Sequence, residues 1–153
     1  MSEENRGREV RREIHIDATP ATVFALLTDA RQMTKWLAEI VVAEAAPGGK
    51  FRIAEAGGME IVGSYVEVVP DRKVVFTWGG IAGLKPGEST VEFTLEADGN
   101  GTLVKVRHYG LPGPAVEPHD LGWLHSGLPK LKSAAEGRDP GGLCLGDLAH
   151  GPS

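Results

Sequence analysis

Residues 63–78, which read G-S-Y-V-E-V-V-P-D-R-K-V-V-F-T-W, constrain the fold of this chain more than any other segment. Two runs rich in β-branched and other apolar residues lie on either side of Pro70-Asp71, a pair of residue types that favours a turn. This pattern predicts two adjacent antiparallel strands. The second run ends at Phe76 and Trp78, which are two residues apart and therefore share one face of a strand. Large aromatic side chains on one face either pack in a core or line a binding site.

The same signals recur along the chain and predict a sheet of seven antiparallel strands. Apolar residues alternate with polar ones, and turn sequences such as Asp98-Gly99-Asn100-Gly101 separate the runs. The predicted strands span residues 9–17, 40–45, 50–55, 59–69, 73–78, 89–96 and 102–109. The connections from the second strand onward are short, as expected for antiparallel neighbours.

Helices are predicted at two places in the chain. Two short helices follow the first strand, where Thr19 can cap the first helix, Pro20 suits its first position and Asp29 can cap the second. A long C-terminal helix is predicted over residues 119–136, with Gly137 as its terminating residue. Pro129 removes a backbone donor from this helix and is expected to kink or break it.

These elements predict an α+β fold with one domain. We expect residues 1–8 to be a disordered lead, residues 9–137 to form the domain and residues 138–153 to be a flexible tail. The C-terminal helix is the element available to cover one face of the sheet. Because one helix rests on only part of a broad twisted sheet, we expect a cavity between the two.

Composition and charge argue against several classes of protein. The net charge of −5 over 153 residues disfavours a general binder of nucleic acids or of anionic membranes. No apolar run is long enough to span a membrane, and the polar start of the chain carries no visible secretory signal. Cys144 is the single cysteine, so an intramolecular disulfide is impossible. We therefore expect a cytoplasmic protein.

A series of motifs, taken in order, resembles the START-like helix-grip superfamily, also called SRPBCC. The motifs are Pro20 at the first helix, Gly48-Gly49-Lys50-Phe51-Arg52 before a strand, the segment 63–78, His108 near the end of the last strand, and His119-x-x-Gly122-Trp123. Over residues 10–141 the chain resembles the branch of activator of Hsp90 ATPase homologue 1-like proteins. The resemblance implies a helix-grip (START/Bet v 1-like) fold, in which a seven-stranded antiparallel sheet wraps around a long C-terminal helix.

One position departs from the pattern of this branch. A leucine usually follows the helix tryptophan by four residues, whereas here Gly127 holds that position and Leu128 comes one residue later, next to Pro129. We therefore expect the later part of the last helix to be re-phased or bent.

The resemblance also implies that a small apolar or amphipathic molecule binds in the grip cavity, and it implies no cofactor. The aromatic residues expected to line the site are Phe51, Phe76, Trp78, Phe93 and Trp123. An apolar pocket with a few polar groups is the usual form of a small-molecule site. The alternative for each aromatic residue is plain packing in the core.

Three polar residues are candidates for orienting the ligand. Alternation places His108 on the covered face of the last strand, where its imidazole could bind a ligand or act as an acid or base. The alternative is a structural histidine bonded to the backbone or to Tyr65. Tyr65 offers a hydroxyl group if it points inward. Its strand leaves the face open, and Gly63 could carry a bulge that switches the faces midway. His119 either contacts the ligand or helps to cap the last helix.

The leading functional prediction is therefore the binding of a small hydrophobic or amphipathic molecule. The alternatives are a cyclase- or hydrolase-like enzyme that uses His108, and a co-regulator of a chaperone ATPase. No metal site is expected, because His119 and His125 are six residues apart and lie on different helix faces. A protein partner is possible but unsupported by the sequence, and both a monomer and a homodimer are compatible with it.

Overall fold

The computed structural model describes residues 9–56, 58–81 and 83–145. The elements in chain order are β1 (Val10–Ile16), α1 (Pro20–Thr28), α2 (Ala30–Met33), β2 (Ile40–Ala43), β3 (Lys50–Ala54), β4 (Glu60–Val69), β5 (Lys73–Trp78), β6 (Ser89–Asp98), β7 (Gly101–Tyr109), α3 (Gly113–Gly122), a π-helical turn (Trp123–Gly127) and α4 (Leu128–Ala135). This order confirms the predicted α+β helix-grip fold. None of the helices in these ranges is long and apolar enough to cross a membrane.

The strands form one antiparallel sheet in the order β1-β7-β6-β5-β4-β3-β2. Alternation along β5, β6 and β7 buries one face of the sheet, as predicted. The inward residues of β5, β6 and β7 are almost fully buried, namely Val74, Phe76, Trp78, Val91, Phe93, Leu95, Val104, Val106 and His108. The register places His108 opposite Val91 on one side and Val10 on the other.

A bulge changes the faces of β4, but it does not lie at Gly63, where the sequence suggested it. The register between β4 and β5 shifts between Tyr65 and Glu67. Tyr65 precedes the bulge and shares the buried face of Ile61, whereas after it Val66 is exposed and Val68 pairs with the buried Val74. Gly63 serves a different purpose, because a Cβ there would lie 1.9 Å from the carbonyl oxygen of Thr77. The glycine allows a close backbone approach that no other residue would permit.

The C-terminal helical segment begins at Gly113, six residues before its predicted start at His119. Pro114 and Pro118 both precede the predicted start, but a proline near the start of a helix costs little because the first N–H groups have no helical partner. Pro118 does remove one backbone bond within α3. The helix continues through it because Ala115 and His119 are buried against the sheet, and burial outweighs local propensity.

The π-helical turn explains the unusual spacing that follows Trp123. The N–H of Leu128 donates to the carbonyl oxygen of Trp123, five residues back instead of four. One extra residue is thereby accommodated, and Leu128 and Leu131 are both buried. The expected re-phasing beyond Gly127 is therefore present, and it precedes Pro129.

Residues 138–145 do not behave as the predicted flexible tail. The N–H groups of Cys144 and Leu145 donate to the carbonyl oxygens of Trp36 and Leu37, both at 2.8 Å. Cys144 and Leu145 are buried and belong to the hydrophobic core. The apolar Leu143-Cys144-Leu145 segment is thus part of the domain. The predicted lead, residues 1–8, and residues 146–153 lie outside the described residues.

Leu145→Ala is expected to lower the free energy of unfolding by about 2 kcal/mol, because it removes a fully buried side chain from the core. The value lies at the low end for such a substitution, since a segment near the end of the chain can relax. Chemical denaturation measures the change, and Leu143→Ala, which shortens a half-buried neighbour, should cost clearly less. Equal losses for the two variants would contradict the docking of Leu145.

Candidate functional site

The five aromatic side chains that the sheet contributes to the predicted site lie together on its covered face. Phe51 stacks on Phe76 with ring centroids 4.1 Å apart, and Tyr65 meets Phe51 edge-on at 5.8 Å. Phe93 and Trp78 lie on either side of Phe76, at 6.2 and 6.3 Å. The distances of 5.8 to 6.3 Å lie in the range that aromatic pairs prefer, and the stacked Phe51–Phe76 pair is closer still. Strands β3 to β6 thus present a continuous aromatic wall, defined here as Phe51, Tyr65, Phe76, Trp78 and Phe93.

Trp123 faces this aromatic wall from the first residue of the π-helical turn. Its ring centroid lies 5.8 Å from that of Trp78 and 5.6 Å from that of Phe93. Behind the ring lies Gly127, where a Cβ would come within 2.5 Å of Cε3 of Trp123. The missing side chain at Gly127 therefore allows the indole to rest against the helix backbone.

His108 has both ring nitrogens occupied by neighbouring side chains. Its Nδ1 accepts a hydrogen bond from the indole Nε1 of Trp123 at 3.1 Å. Its Nε2 lies 2.7 Å from Oγ of Ser89, and this hydroxyl donates to the carbonyl oxygen of Trp78 at 2.7 Å. Because a hydroxyl has one proton to give, Ser89 must accept from His108, which places the proton of the imidazole on Nε2. His108 is thus a neutral imidazole with a defined tautomer.

His119 is held in the same manner from the helix side. Its Nε2 accepts from the indole Nε1 of Trp78 at 3.2 Å, and its Nδ1 donates to the carbonyl oxygen of Ala115 at 2.8 Å. The ring centroids of His108 and His119 are 4.8 Å apart. Each imidazole therefore has one acceptor nitrogen bonded to an indole N–H, a group that can only donate. We call these two residues the imidazole pair.

Burial keeps the imidazole pair uncharged. It lowers the pKa of His108 well below its ordinary value, and the nearness of His119 adds to the effect. Burial also lowers the pKa of His119, with the Ala115 carbonyl opposing the change. Neither ring has a free nitrogen in this arrangement, so acid or base catalysis by His108 would require one of its bonds to break.

The hydroxyl group of Tyr65 bonds the backbone and not His108. It donates to the carbonyl oxygen of Leu27 in α1 at 3.1 Å. Burial raises the pKa of Tyr65, so the phenol stays protonated. The structure thus brings all eight predicted site residues to one interior, but it separates Tyr65 from the imidazole pair.

Sequence analysis missed Ser89, which fixes the tautomer of His108. The sequence did contain a signal for Ser89. It lies two residues before Val91 and four before Phe93, and therefore shares their inward face of the strand. The pairing of each histidine with a particular tryptophan had no such signal. It depends on the register of the sheet and on where the helix crosses it.

An ion pair lies beside the imidazole pair at the edge of the sheet. Arg12 of β1 donates from Nε and Nη2 to the two carboxylate oxygens of Asp120, at 2.8 and 2.9 Å. Arg12 lowers the pKa of Asp120 by this bidentate contact. A groove of about 570 Å³ starts here. Charged and polar side chains of β1, β6 and β7 form most of its border, Ile14, Val106, Leu124 and Leu128 form its apolar part, and its lining includes none of the eight predicted site residues. Within residues 9–56, 58–81 and 83–145, no three His, Cys, Asp or Glu side chains are placed to hold a metal ion.

Acid is expected to destabilise the protein through the imidazole pair. Both histidines have lowered pKa values when folded but an ordinary value near 6.5 when unfolded. Below about pH 6.5 the two histidines of the unfolded chain bind protons that those of the folded chain do not bind. The free energy of unfolding therefore decreases as the pH falls. Each proton contributes a slope of at most about 1.4 kcal/mol per pH unit. Denaturation midpoints at pH 7.5, 6 and 5 measure this slope, which should be smaller in His119→Gln.

His15 provides a matched control of opposite sign. Asp98 and Asp17 raise the pKa of this exposed histidine, so it adds stability at low pH that is lost as the pH rises through the raised pKa. His15→Gln should therefore make the loss of stability in acid steeper. A shallower slope in His15→Gln, or an unchanged slope in His119→Gln, would contradict this assignment.

Comparison with known proteins shows which family and which solved structures this chain is similar to. The family model described as activator of Hsp90 ATPase homolog 1-like protein matches residues 17–136. The AHSA1-like protein of Rhizobium etli is 38% identical, and the match covers 88% of this chain and 85% of that one with a TM-score of 0.68. A search of curated protein sequences returned no match.

Two further solved structures share the fold at lower identity. A protein of Mesorhizobium loti is 24% identical, with a TM-score of 0.76 and coverage of 86% of this chain and 99% of that one. The Aha1 dimer from Colwellia psychrerythraea is 20% identical, with a TM-score of 0.73 and coverage of 84% and 96%. The predicted START-like fold is therefore confirmed, and the chain belongs to the family of activator of Hsp90 ATPase homolog 1-like proteins.

Proposed function

We propose that this protein binds a small hydrophobic or amphipathic molecule between its C-terminal helical segment and the aromatic wall of its sheet. The observation that carries the proposal is the aromatic wall itself, which Trp123 faces with ring centroids 5.8 Å from Trp78 and 5.6 Å from Phe93. An apolar interior that contains a few polar groups, here the imidazole pair, is the usual composition of a small-molecule site.

The cover over this interior contains features that favour local opening. In this structure the aromatic side chains contact one another, so a ligand must displace some of them. Pro118 and Pro129 both lack the N–H that a helix interior would use, and the π-helical turn lies between them. Segments with fewer backbone bonds open at lower free energy, and π-helical turns are frequent at functional sites. Ligand burial would then supply about 25 cal/mol per Å² of apolar surface.

A thermal-shift screen tests the proposal across lipids, polyketides and aromatic compounds. A ligand at 100 times its dissociation constant stabilises the folded state by about 2.7 kcal/mol, which gives a clear and saturable rise in melting temperature. The absence of a saturable rise in all three classes would contradict the proposal.

Trp123→Ala is expected to weaken binding at least tenfold, because it removes the indole that faces the aromatic wall. His125→Ala lies in the same π-helical turn but changes an exposed side chain, so it should leave binding unchanged. Circular dichroism checks that each variant folds, and Trp123→Phe replaces the alanine variant if that one does not. Equal affinity for both variants would place the ligand elsewhere.

The other predicted functions have less support. An enzyme that uses His108 would need a free imidazole nitrogen, and both are bonded in this structure. A co-regulator of a chaperone ATPase would need a docking surface, and the described residues place the exposed large apolar side chains, Ile40, Val66 and Leu124, on three different elements. An ATPase-stimulation assay with the chaperone tests that role. The choice between monomer and homodimer and the cytoplasmic location stay predictions.

A further inference from the structure

We infer that the ligand of this interior is an uncharged aromatic molecule, and not a fatty acid or another amphiphile with an ionised head group. The inference rests on the proposed function, since it names the chemical class that the same site would accept. It follows from the charges and hydrogen bonds of the side chains around the site.

No permanent charge is buried in the described interior. The buried polar side chains there are Ser89, Thr102, His108, His119 and Ser126. The imidazole pair is held neutral, because each ring directs its acceptor nitrogen at an indole N–H. Moving an ionised group from water into such a site costs several kcal/mol unless a partner of opposite charge receives it. A cationic ligand is disfavoured for the same reason, since contact with an aromatic face stabilises a cation by only about 2 kcal/mol.

The cations that border the groove are already paired. Arg12, which lies on the inward face of β1, forms the bidentate pair with Asp120. Arg11 and Arg107 both contact Glu9, while Lys105 lies 3.1 Å from Glu96. An anionic head group that lay in this groove would therefore have to compete with a carboxylate for each of these side chains.

The polar side chains of the interior also have few free hydrogen-bonding groups for a ligand. Both nitrogens of each imidazole are used, and the hydroxyl groups of Ser89 and Tyr65 donate to backbone carbonyls. What remains for recognition is the set of aromatic ring faces and edges. Aromatic pairs contribute about 0.5–1.5 kcal/mol beyond the burial of their area. Selection by ring packing favours a planar aromatic molecule over an aliphatic chain.

Two fluorescent probes with the same ring framework test the inference. N-phenyl-1-naphthylamine is uncharged, and 8-anilinonaphthalene-1-sulfonate differs from it by one sulfonate group. Binding is followed at pH 7.5 by the emission of the directly excited probe, and the binding is assigned to this site by its loss in Trp123→Ala. We expect the neutral probe to bind at least tenfold more tightly. Equal or tighter binding of the sulfonate would overturn the inference and leave the proposed function intact, whereas no binding of either probe would count against both.

A pair of variants tests the role of the paired cation. Asp120→Asn releases Arg12 from its carboxylate partner, so the sulfonate should gain at least threefold in affinity while the neutral probe is unchanged. Glu117→Gln removes the same charge from an exposed position of α3 and should leave the preference as it was. An equal gain in both variants would mean that net charge sets the preference, and the inference would be wrong.

Discussion

Replacement of His108 by alanine is expected to lower the free energy of unfolding by about 3–4 kcal/mol. The substitution leaves a cavity where a buried ring was, which costs about 2–5 kcal/mol for comparable side chains. It also leaves the indole N–H of Trp123 without an acceptor in a buried position, and an orphaned donor costs about 1–3 kcal/mol. These costs overlap, because the surrounding side chains partly collapse into the space.

Urea denaturation followed by far-UV circular dichroism measures this loss. His125→Ala removes an exposed imidazole from the π-helical turn and should change stability by no more than about 0.5 kcal/mol. If His108→Ala proved as stable as the parent, His108 would not have the structural role described above. Its predicted use as a catalytic acid or base would then regain support.

Gly127→Ala is expected to lower the free energy of unfolding by about 2–3 kcal/mol, although alanine is the better helix former. A glycine-to-alanine change inside a helix ordinarily stabilises by about 0.5–1 kcal/mol. Here the new Cβ would lie 2.5 Å from Cε3 of Trp123, so the indole must move. Its movement strains the packing against the aromatic wall and stretches the bond to His108, and overpacking alone costs about 1–3 kcal/mol.

Gly113→Ala is the matched control, because nothing lies within 4 Å of a Cβ at that position of the same helical segment. This variant should be neutral or slightly more stable than the parent. The two glycines therefore give opposite signs, which denaturation midpoints resolve easily. A stabilising effect of Gly127→Ala would mean that Trp123 does not rest against Gly127 in solution.

Strand positions could be predicted well from the sequence because each depends on local alternation. The segment 73–78 matches β5 at both ends, and the inward faces of β6 and β7 follow directly from every second residue being apolar. The bulge in β4 could not be placed in the same way. Gly63 was the local choice, whereas the register shift falls between Tyr65 and Glu67, where pairing with β5 determines it.

Helix and chain ends were harder to predict because packing against distant residues decides them. Local rules placed a break near Pro118, but the burial of Ala115 and His119 carries α3 through it. Residues 138–145 looked like a loose tail from composition. The backbone bonds of Cys144 and Leu145 to Trp36 and Leu37 join segments about a hundred residues apart, and no local pattern announces such a contact.

The sequence by itself determined the class of fold, the seven strands and the residues that face the interior, because the two-residue period of strands and the chemistry of turns are local. It also predicted the eight residues that the structure brings together in this interior. Only the tertiary structure decided how those residues are bonded to one another. It determines which indole donates to which imidazole and which imidazole nitrogen carries the proton, and it shows that Ser89 accepts from His108. These features arise where β5, β6, β7 and the π-helical turn cross. Their geometry depends on sheet register and on a one-residue shift of helix phase that local propensity does not encode.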